Sequence, residues 1–123
     1  MKLSNRTIVI TGGTSGIGLA FALKLLSLGN KVIVIGRNQA TLDQATTKHK
    51  GLIGLQGDVS NANSVREMAA FLRDRYPEAS ILFNSAGIMR AFELMDDNLD
   101  LERTTAEVET NLNGTVWMTE ALL

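Results

Sequence analysis

TGGTSGIG occupies residues 11–18, and four of its eight residues are glycine. The segment follows a β-branched and apolar run, Thr7 to Ile10, and precedes an apolar stretch that begins at Leu19. This order predicts a buried strand, a tight turn and a helix. Because glycine lets backbone approach a ligand closely and a helix N-terminus favours an anion, the turn is a candidate binding site for phosphate groups.

Short apolar runs alternate with longer amphipathic ones along the rest of the chain. Strands separated by helices predict an α/β fold with a parallel sheet covered on both faces. The predicted strands are 7–10, 31–35, 52–56 and 81–84. The predicted helices are 17–28, 39–48 and 64–75, and Ser60 or Asn61 can cap the last of them. The glycine turn must lie where the strand order reverses, which predicts the order 3-2-1-4.

Composition and charge restrict the function classes. The chain has 123 residues, of which 45% are hydrophobic, and this suits one domain with a core. Its formal charge of -1 comes from 12 basic and 13 acidic residues, so neither nucleic acid nor a membrane surface is an expected partner. The sequence contains no cysteine and no apolar run of membrane-spanning length, and we expect a cytoplasmic protein without a metal site.

Several glycine-rich motifs do not fit residues 11–18. Gly13 and Gly18 have the spacing of a P-loop, but Leu19 and Ala20 stand where that motif requires Lys and Ser or Thr. The ordinary dinucleotide fingerprint G-x-G-x-x-G is absent. A nucleophile elbow, G-x-S-x-G, fails because Ile17 occupies its last position.

The spacing T-G-x-x-x-G-I-G resembles that of the short-chain dehydrogenases/reductases. The resemblance implies a Rossmann-type, doubly wound parallel sheet that binds a nicotinamide dinucleotide at this turn. The opening MKLSNRTIVITGG and the segment RYPEASILFNSAGI resemble the oxidoreductases associated with D-alanine operons of Gram-positive bacteria. A glycine-rich turn without a ligand is the alternative. The residues expected to contact the cofactor at this turn are Gly12, Thr14, Ser15, Gly16, Ile17 and Gly18.

Two further segments resemble cofactor-binding positions of the same family. Asp58-Val59 matches the adenine pocket, where the carboxylate would accept from the adenine amino group; an ordinary surface Asp is the alternative. Asn84-Ser85-Ala86-Gly87 resembles the N-N-A-G segment that ends the fourth strand. There Asn84, Ala86 and Gly87 would line the ribose on the nicotinamide side. Ser85 replaces the second Asn, which puts the contacts of that side-chain amide in doubt.

Asn111 is the one residue for which the resemblance implies a catalytic role. In the family, the backbone carbonyl of the matching helix Asn holds a water in the proton relay to the active-site lysine; a polar residue at a helix kink is the alternative. The catalytic Ser and the Tyr-x-x-x-Lys pair of the family are absent from the 123 residues, since Tyr76 is the only tyrosine and Ser80 stands where Lys is required. We therefore expect the cofactor-binding half of a longer enzyme.

The end of the second strand indicates which nicotinamide cofactor binds. An NAD site usually has Asp or Glu there, about 20 residues beyond the glycines, to bind both ribose hydroxyls. This chain has Gly36, Arg37 and Asn38. Because a guanidinium binds a phosphate in bidentate fashion and no carboxylate repels it, NADP(H) is favoured over NAD(H). A solvated arginine is the alternative reading of Arg37.

These observations together predict an oxidoreductase that transfers a hydride between NADP(H) and a small-molecule carbonyl or alcohol. Residues 1–123 are expected to form its NADP(H)-binding domain. The family's usual association through the helix after Asn111 predicts a homo-oligomer. Two alternatives remain open: a non-catalytic module that binds or senses NADP(H), and an inert truncated product.

Overall fold

The structure, a computed structural model, describes residues 3–87 and 108–122. Its strands are β1 (Thr7–Thr11), β2 (Lys31–Gly36), β3 (Ile53–Gln56) and β4 (Ala79–Asn84). The first three helices are α1 (Gly16–Ser27), α2 (Gln39–Lys48) and α3 (Ala62–Arg75). A π-helical segment, Val108–Asn113, leads directly into α4 (Gly114–Leu122).

The four strands form one parallel sheet in the order β3-β2-β1-β4, which confirms the predicted order. Thr11 pairs with Ile35 on one side and with Asn84 on the other, so β1, β2 and β4 end level with one another. Gly36 pairs with Gln56, which brings the end of β3 to the same edge. The carboxyl ends of all four strands therefore meet along one edge of the sheet, where ligands of open α/β sheets bind.

Alternate residues of β1 and β2 pack on opposite faces of the sheet, as the pleat requires. Ile8 and Ile10 contact the core below α1 and α2, whereas Val9 belongs to the core below α3 and α4. Burial on both faces was predicted for every strand, and this is wrong for β3 and β4. In β3 every second residue is exposed, and in β4 Ser80 and Asn84 are exposed, because these two strands lie at the edges of the four-stranded sheet.

The helix ends follow local capping chemistry. The side chain of Asn38 accepts a hydrogen bond from the Thr41 N–H at the start of α2, at 3.1 Å. Asn61, rather than Ser60, caps α3 in the same way by accepting from the Ser64 N–H at 3.0 Å. These bonds satisfy amide groups that have no partner within the helix.

Candidate functional site

Gly12 and Gly18 are sites of close backbone contact. The φ angle of Gly12 is +65°, in the left-handed region. A Cβ atom on Gly12 would lie 2.8 Å from the Ala86 Cα and 2.9 Å from the Ala86 nitrogen, closer than real carbon atoms approach. A Cβ on Gly18 would collide with the carbonyl oxygen of Gly12. Because only hydrogen fits at both positions, the β1–α1 turn rests directly on the backbone that follows β4.

Thr11 links the β1–α1 turn to the turn after β4. Its side chain is 1% exposed, and its hydroxyl oxygen accepts hydrogen bonds from the backbone N–H groups of Ser85 and Ala86, both at 3.1 Å. Buried N–H groups without such a partner cost free energy. The hydroxyl therefore fixes the turn after β4 against the end of β1. The sequence pattern did not predict this role of Thr11.

Gly16 differs from Gly12 in its surroundings although both have a left-handed backbone. Its φ angle is +55°, and a Cβ there would meet nothing within 4 Å. Ser15, the N-cap residue of α1, makes no side-chain capping bond, in contrast to the asparagines that cap α2 and α3. Ile17 in the same turn is 80% exposed. The N-terminus of α1 thus combines open space, an uncapped first turn and an exposed apolar side chain.

The end of β2 lies beside this turn. A Cβ on Gly36 would lie 3.0 Å from the methyl carbon of Thr14, so the glycine turn and the β2 end are in contact. Arg37 is exposed, and its backbone carbonyl accepts from the Gln56 side-chain amide at 3.2 Å. Asn38 is occupied as the cap of α2. The main chain around Arg37 is held on both sides, while the residue itself is exposed.

Asp58 and Val59 follow β3 and have different environments. One carboxylate oxygen of Asp58 accepts from the Ser60 N–H at 2.9 Å and from the Ser60 hydroxyl at 2.6 Å. The Asp58 N–H donates to the Ser64 hydroxyl at 2.8 Å. Val59 is buried and would contact a Cβ on Gly114. Asp58 is therefore fixed by turn contacts of the kind that Asp commonly makes.

Asn84, the last residue of β4, contacts α4, and Gly87, on the turn after β4, lies next to the π-helical segment. The Asn84 side-chain amide donates to the Thr119 hydroxyl at 3.3 Å, which links the end of β4 to α4. A Cβ on Gly87 would lie 3.3 Å from the Asn111 side-chain oxygen. Asn111 lies within the π-helical segment, and its carbonyl accepts from the Thr115 hydroxyl at 3.1 Å. Asn111 is thereby brought next to the loop predicted to bind cofactor.

The predicted residues form a chain of contacts along the carboxyl edge of the sheet. Thr14 contacts Gly36, and Gly12 contacts Ala86. Gly87 continues the chain to Asn111. Ion pairs in the part of the chain that the structure describes join Lys31 to Glu78 and Arg75 to Asp74, all away from this edge. This edge of the sheet carries backbone and small polar groups, and Arg37 lies near one end of it.

The chain matches the family described as short chain dehydrogenase over residues 6–123. It belongs to that family. It is 34% identical over 116 residues to the uncharacterized oxidoreductase DltE of Bacillus subtilis, covering 94% of this chain and 46% of that protein. It is 32% identical over 117 residues to the NADP-dependent 3-hydroxy acid dehydrogenase YdfG of Shigella flexneri, covering 94% of this chain and 47% of that protein.

A solved structure has the same fold as this member of the family. The crystal structure of gox2181 superposes with a TM-score of 0.88 at 26% identity, over 98% of this chain and 48% of that one. The fold class predicted from the sequence, a Rossmann-type doubly wound sheet, is confirmed by this likeness and by the strand order. The chain spans about half the length of the curated relatives it matches.

Two kinds of feature are not found among residues 3–87 and 108–122. No group of three or more His, Cys, Asp or Glu side chains is arranged to hold a metal ion there. Within the same residues, every helix is too short or too polar to span a membrane.

Proposed function

We propose that residues 1–123 form the NADP(H)-binding domain of an oxidoreductase. The enzyme would transfer a hydride between NADP(H) and the carbonyl or alcohol carbon of a small molecule. The observation that carries the proposal is the open, uncapped N-terminus of α1 beside the exposed Arg37. The cofactor, when bound, donates or accepts the hydride, and the residues of this chain bind and orient it.

The pyrophosphate of the cofactor fits the first turn of α1. Gly16 has a left-handed backbone, and beyond its chain neighbours and its own helix nothing lies within 4 Å of its Cβ position, so the turn is open on this side. N–H groups of the first helical turn and the helix dipole attract an anion at this place. Ser15 is the N-cap without a capping bond, so its hydroxyl is a second donor for a phosphate oxygen. Thr14 and Ile17 would border the same group.

The 2′-phosphate of NADP(H) fits Arg37. The guanidinium is exposed beside the glycine turn, and Gly36 and Asn38 flank it without a carboxylate that would repel phosphate. A bidentate guanidinium–phosphate pair is among the stronger charge-assisted contacts in proteins. The name of the Shigella flexneri relative, an NADP-dependent dehydrogenase, supports the same choice of cofactor.

The remaining parts of the cofactor are assigned to the ends of β3 and β4. Asp58 would accept from the adenine amino group while Ser60 holds one oxygen of its carboxylate. The Val59 N–H would face the ring. Ala86 and Gly87 would line the ribose next to nicotinamide. Asn84 would join them at the ribose, with its amide nitrogen anchored to Thr119.

Asn111 would serve the proton relay through its backbone carbonyl. The Thr115 hydroxyl donates to this oxygen at 3.1 Å, which ties the carbonyl to the first turn of α4. Its position in a π-helical segment supports this role, because such segments occur frequently at functional sites.

Replacing Arg37 by Ala tests the cofactor assignment. We expect the Kd for NADPH to rise about 10- to 150-fold, since a hydrogen bond to a charged group contributes about 1.5–3 kcal/mol. The Kd for NADH should stay unchanged because NADH has no 2′-phosphate. Both are measured by titrating nicotinamide fluorescence. Arg66→Ala, on the exposed face of α3, is the matched control. Equal weakening of both cofactors would contradict the assignment to Arg37.

The alternative is a module that binds NADP(H) and performs no chemistry. The two functions differ in whether the gene product also supplies a Tyr-x-x-x-Lys pair, which residues 1–123 lack. Sequencing the gene beyond the codon for Leu123 and assaying the product for NADPH oxidation with carbonyl compounds distinguishes them. A homo-oligomer and a cytoplasmic location stay predictions, to be checked by sedimentation and by cell fractionation.

A further inference from the structure

Gln56, the last residue of β3, contacts the segment that follows β2. Gln56 pairs with Gly36 in the sheet register, and the N–H of Gly57 donates to the Gly36 carbonyl at 3.0 Å. One residue further, the Gln56 side-chain amide donates to the Arg37 carbonyl at 3.2 Å. The backbone pairing of β2 with β3 thus ends at Gly36, and the Gln56 side chain adds one more hydrogen bond, to Arg37.

This contact holds the main chain of Arg37 while leaving its side chain accessible. On the other side of Arg37, the cap formed by Asn38 fixes the backbone against the start of α2 at 3.1 Å. A cation whose base is held in place loses less freedom when it binds an anion.

We propose that Gln56 is a positioning residue that sets the preference for NADP(H) over NAD(H) through the backbone of Arg37. The inference rests on the proposed function, because it assumes that Arg37 binds the 2′-phosphate. Gln56 itself touches no part of the phosphate in this scheme. Gln56 is exposed and water competes for its amide, so the free energy of one neutral hydrogen bond is the upper limit of its effect on NADPH binding.

The test compares Gln56→Ala and Gln56→Glu with the wild-type chain by titration with NADPH and NADH. For Gln56→Ala we expect the Kd for NADPH to rise about 2- to 10-fold, the range for one neutral hydrogen bond, with the Kd for NADH unchanged. Gln56→Glu should weaken NADPH further, because a carboxylate cannot donate to the Arg37 carbonyl and repels the phosphate. Gln44→Ala and Gln44→Glu, on the exposed surface of α2, control for composition and charge.

A double-mutant cycle separates positioning from a general structural effect. If Gln56 acts through Arg37, Gln56→Ala should have no further effect on NADPH binding in the Arg37→Ala background. Additive effects, or equal weakening of NADPH and NADH by Gln56→Ala, would overturn the inference. If Arg37→Ala by itself weakens NADPH and not NADH, the proposed function stands even when the inference about Gln56 fails. If Arg37→Ala is not selective, the cofactor assignment fails and the role of Gln56 fails with it.

Discussion

Gly12 and Gly16 provide a matched pair of substitutions that separates folding from binding. Both have a left-handed backbone, with φ angles of +65° and +55°. A left-handed conformation costs an L-residue about 1–2 kcal/mol, so Ala at either position destabilises the fold by that amount. The surroundings of the two added Cβ atoms differ: one would press against Ala86, and the other would enter open space.

The difference predicts distinct unfolding free energies. Overpacking against rigid backbone adds about 1–3 kcal/mol, so Gly12→Ala should lose about 2–5 kcal/mol in total. Gly16→Ala should lose only the backbone cost of about 1–2 kcal/mol. Urea denaturation followed by the fluorescence of Trp117 measures both values. Equal losses for the two variants would refute the close contact between Gly12 and the turn after β4.

Among molecules that remain folded, Gly16→Ala should weaken cofactor binding more than Gly12→Ala does. The added methyl of Gly16→Ala occupies the space assigned to the pyrophosphate and displaces it from the first turn of α1. Losing one charge-assisted contact there costs about 1.5–3 kcal/mol, so the Kd for NADPH should rise roughly 10-fold or more. NADH should weaken equally, because both cofactors carry the pyrophosphate. Wild-type affinity in folded Gly16→Ala would refute the assignment of the pyrophosphate to this turn.

Three other outcomes are expected. Gly36→Asp should raise the affinity for NADH and lower the affinity for NADPH. The substitution is made in a Thr14→Ser background, because the Thr14 methyl carbon would lie 3.0 Å from the new Cβ, and Thr14→Ser alone is the control in the same titration. Thr11→Val should lower the unfolding free energy by about 1–3 kcal/mol, because two N–H groups lose their acceptor, whereas Thr11→Ser should stay near wild type in urea denaturation. Residues 1–123 alone should associate, since Leu112 and Val116 are 60% and 53% exposed; a monomer in sedimentation at micromolar concentration would contradict this.

The central part of the fold was predictable because its signals are local. The apolar runs of β1 and β2 and the glycine spacing of the first turn each lie within a few residues. The predicted order 3-2-1-4 already places β3 at an edge, but we expected both of its faces to be buried, and Gly54 and Gln56 are exposed. The apolar Leu52 was predicted to begin this strand, which begins at Ile53. The apolar pattern of a strand does not show how far its neighbours cover it.

The residues proposed to bind the cofactor were chosen from sequence motifs, and the contacts that hold their loops could not be predicted in that way. Thr11 bonds to Ser85 and Ala86, which are 74 and 75 positions away along the chain. Gln56 meets Arg37 only because β2 and β3 are paired in one particular register. Both contacts depend on tertiary pairing, and no spacing within the sequence encodes them. Residues that hold a binding loop are therefore harder to predict than residues that carry a motif.

Asn111 shows why a structural and a functional reading need not compete. A helix kink was the alternative to a role in the proton relay, and a π-helical segment does occupy Val108–Asn113. Such a segment changes which N–H group each carbonyl meets. The Thr115 hydroxyl donates to the Asn111 carbonyl, as the hydroxyls of Thr46 and Thr119 do to carbonyls four residues earlier in α2 and α4. The segment places Asn111 beside the turn after β4, so an irregular helix and the proposed relay are two descriptions of the same place in the fold.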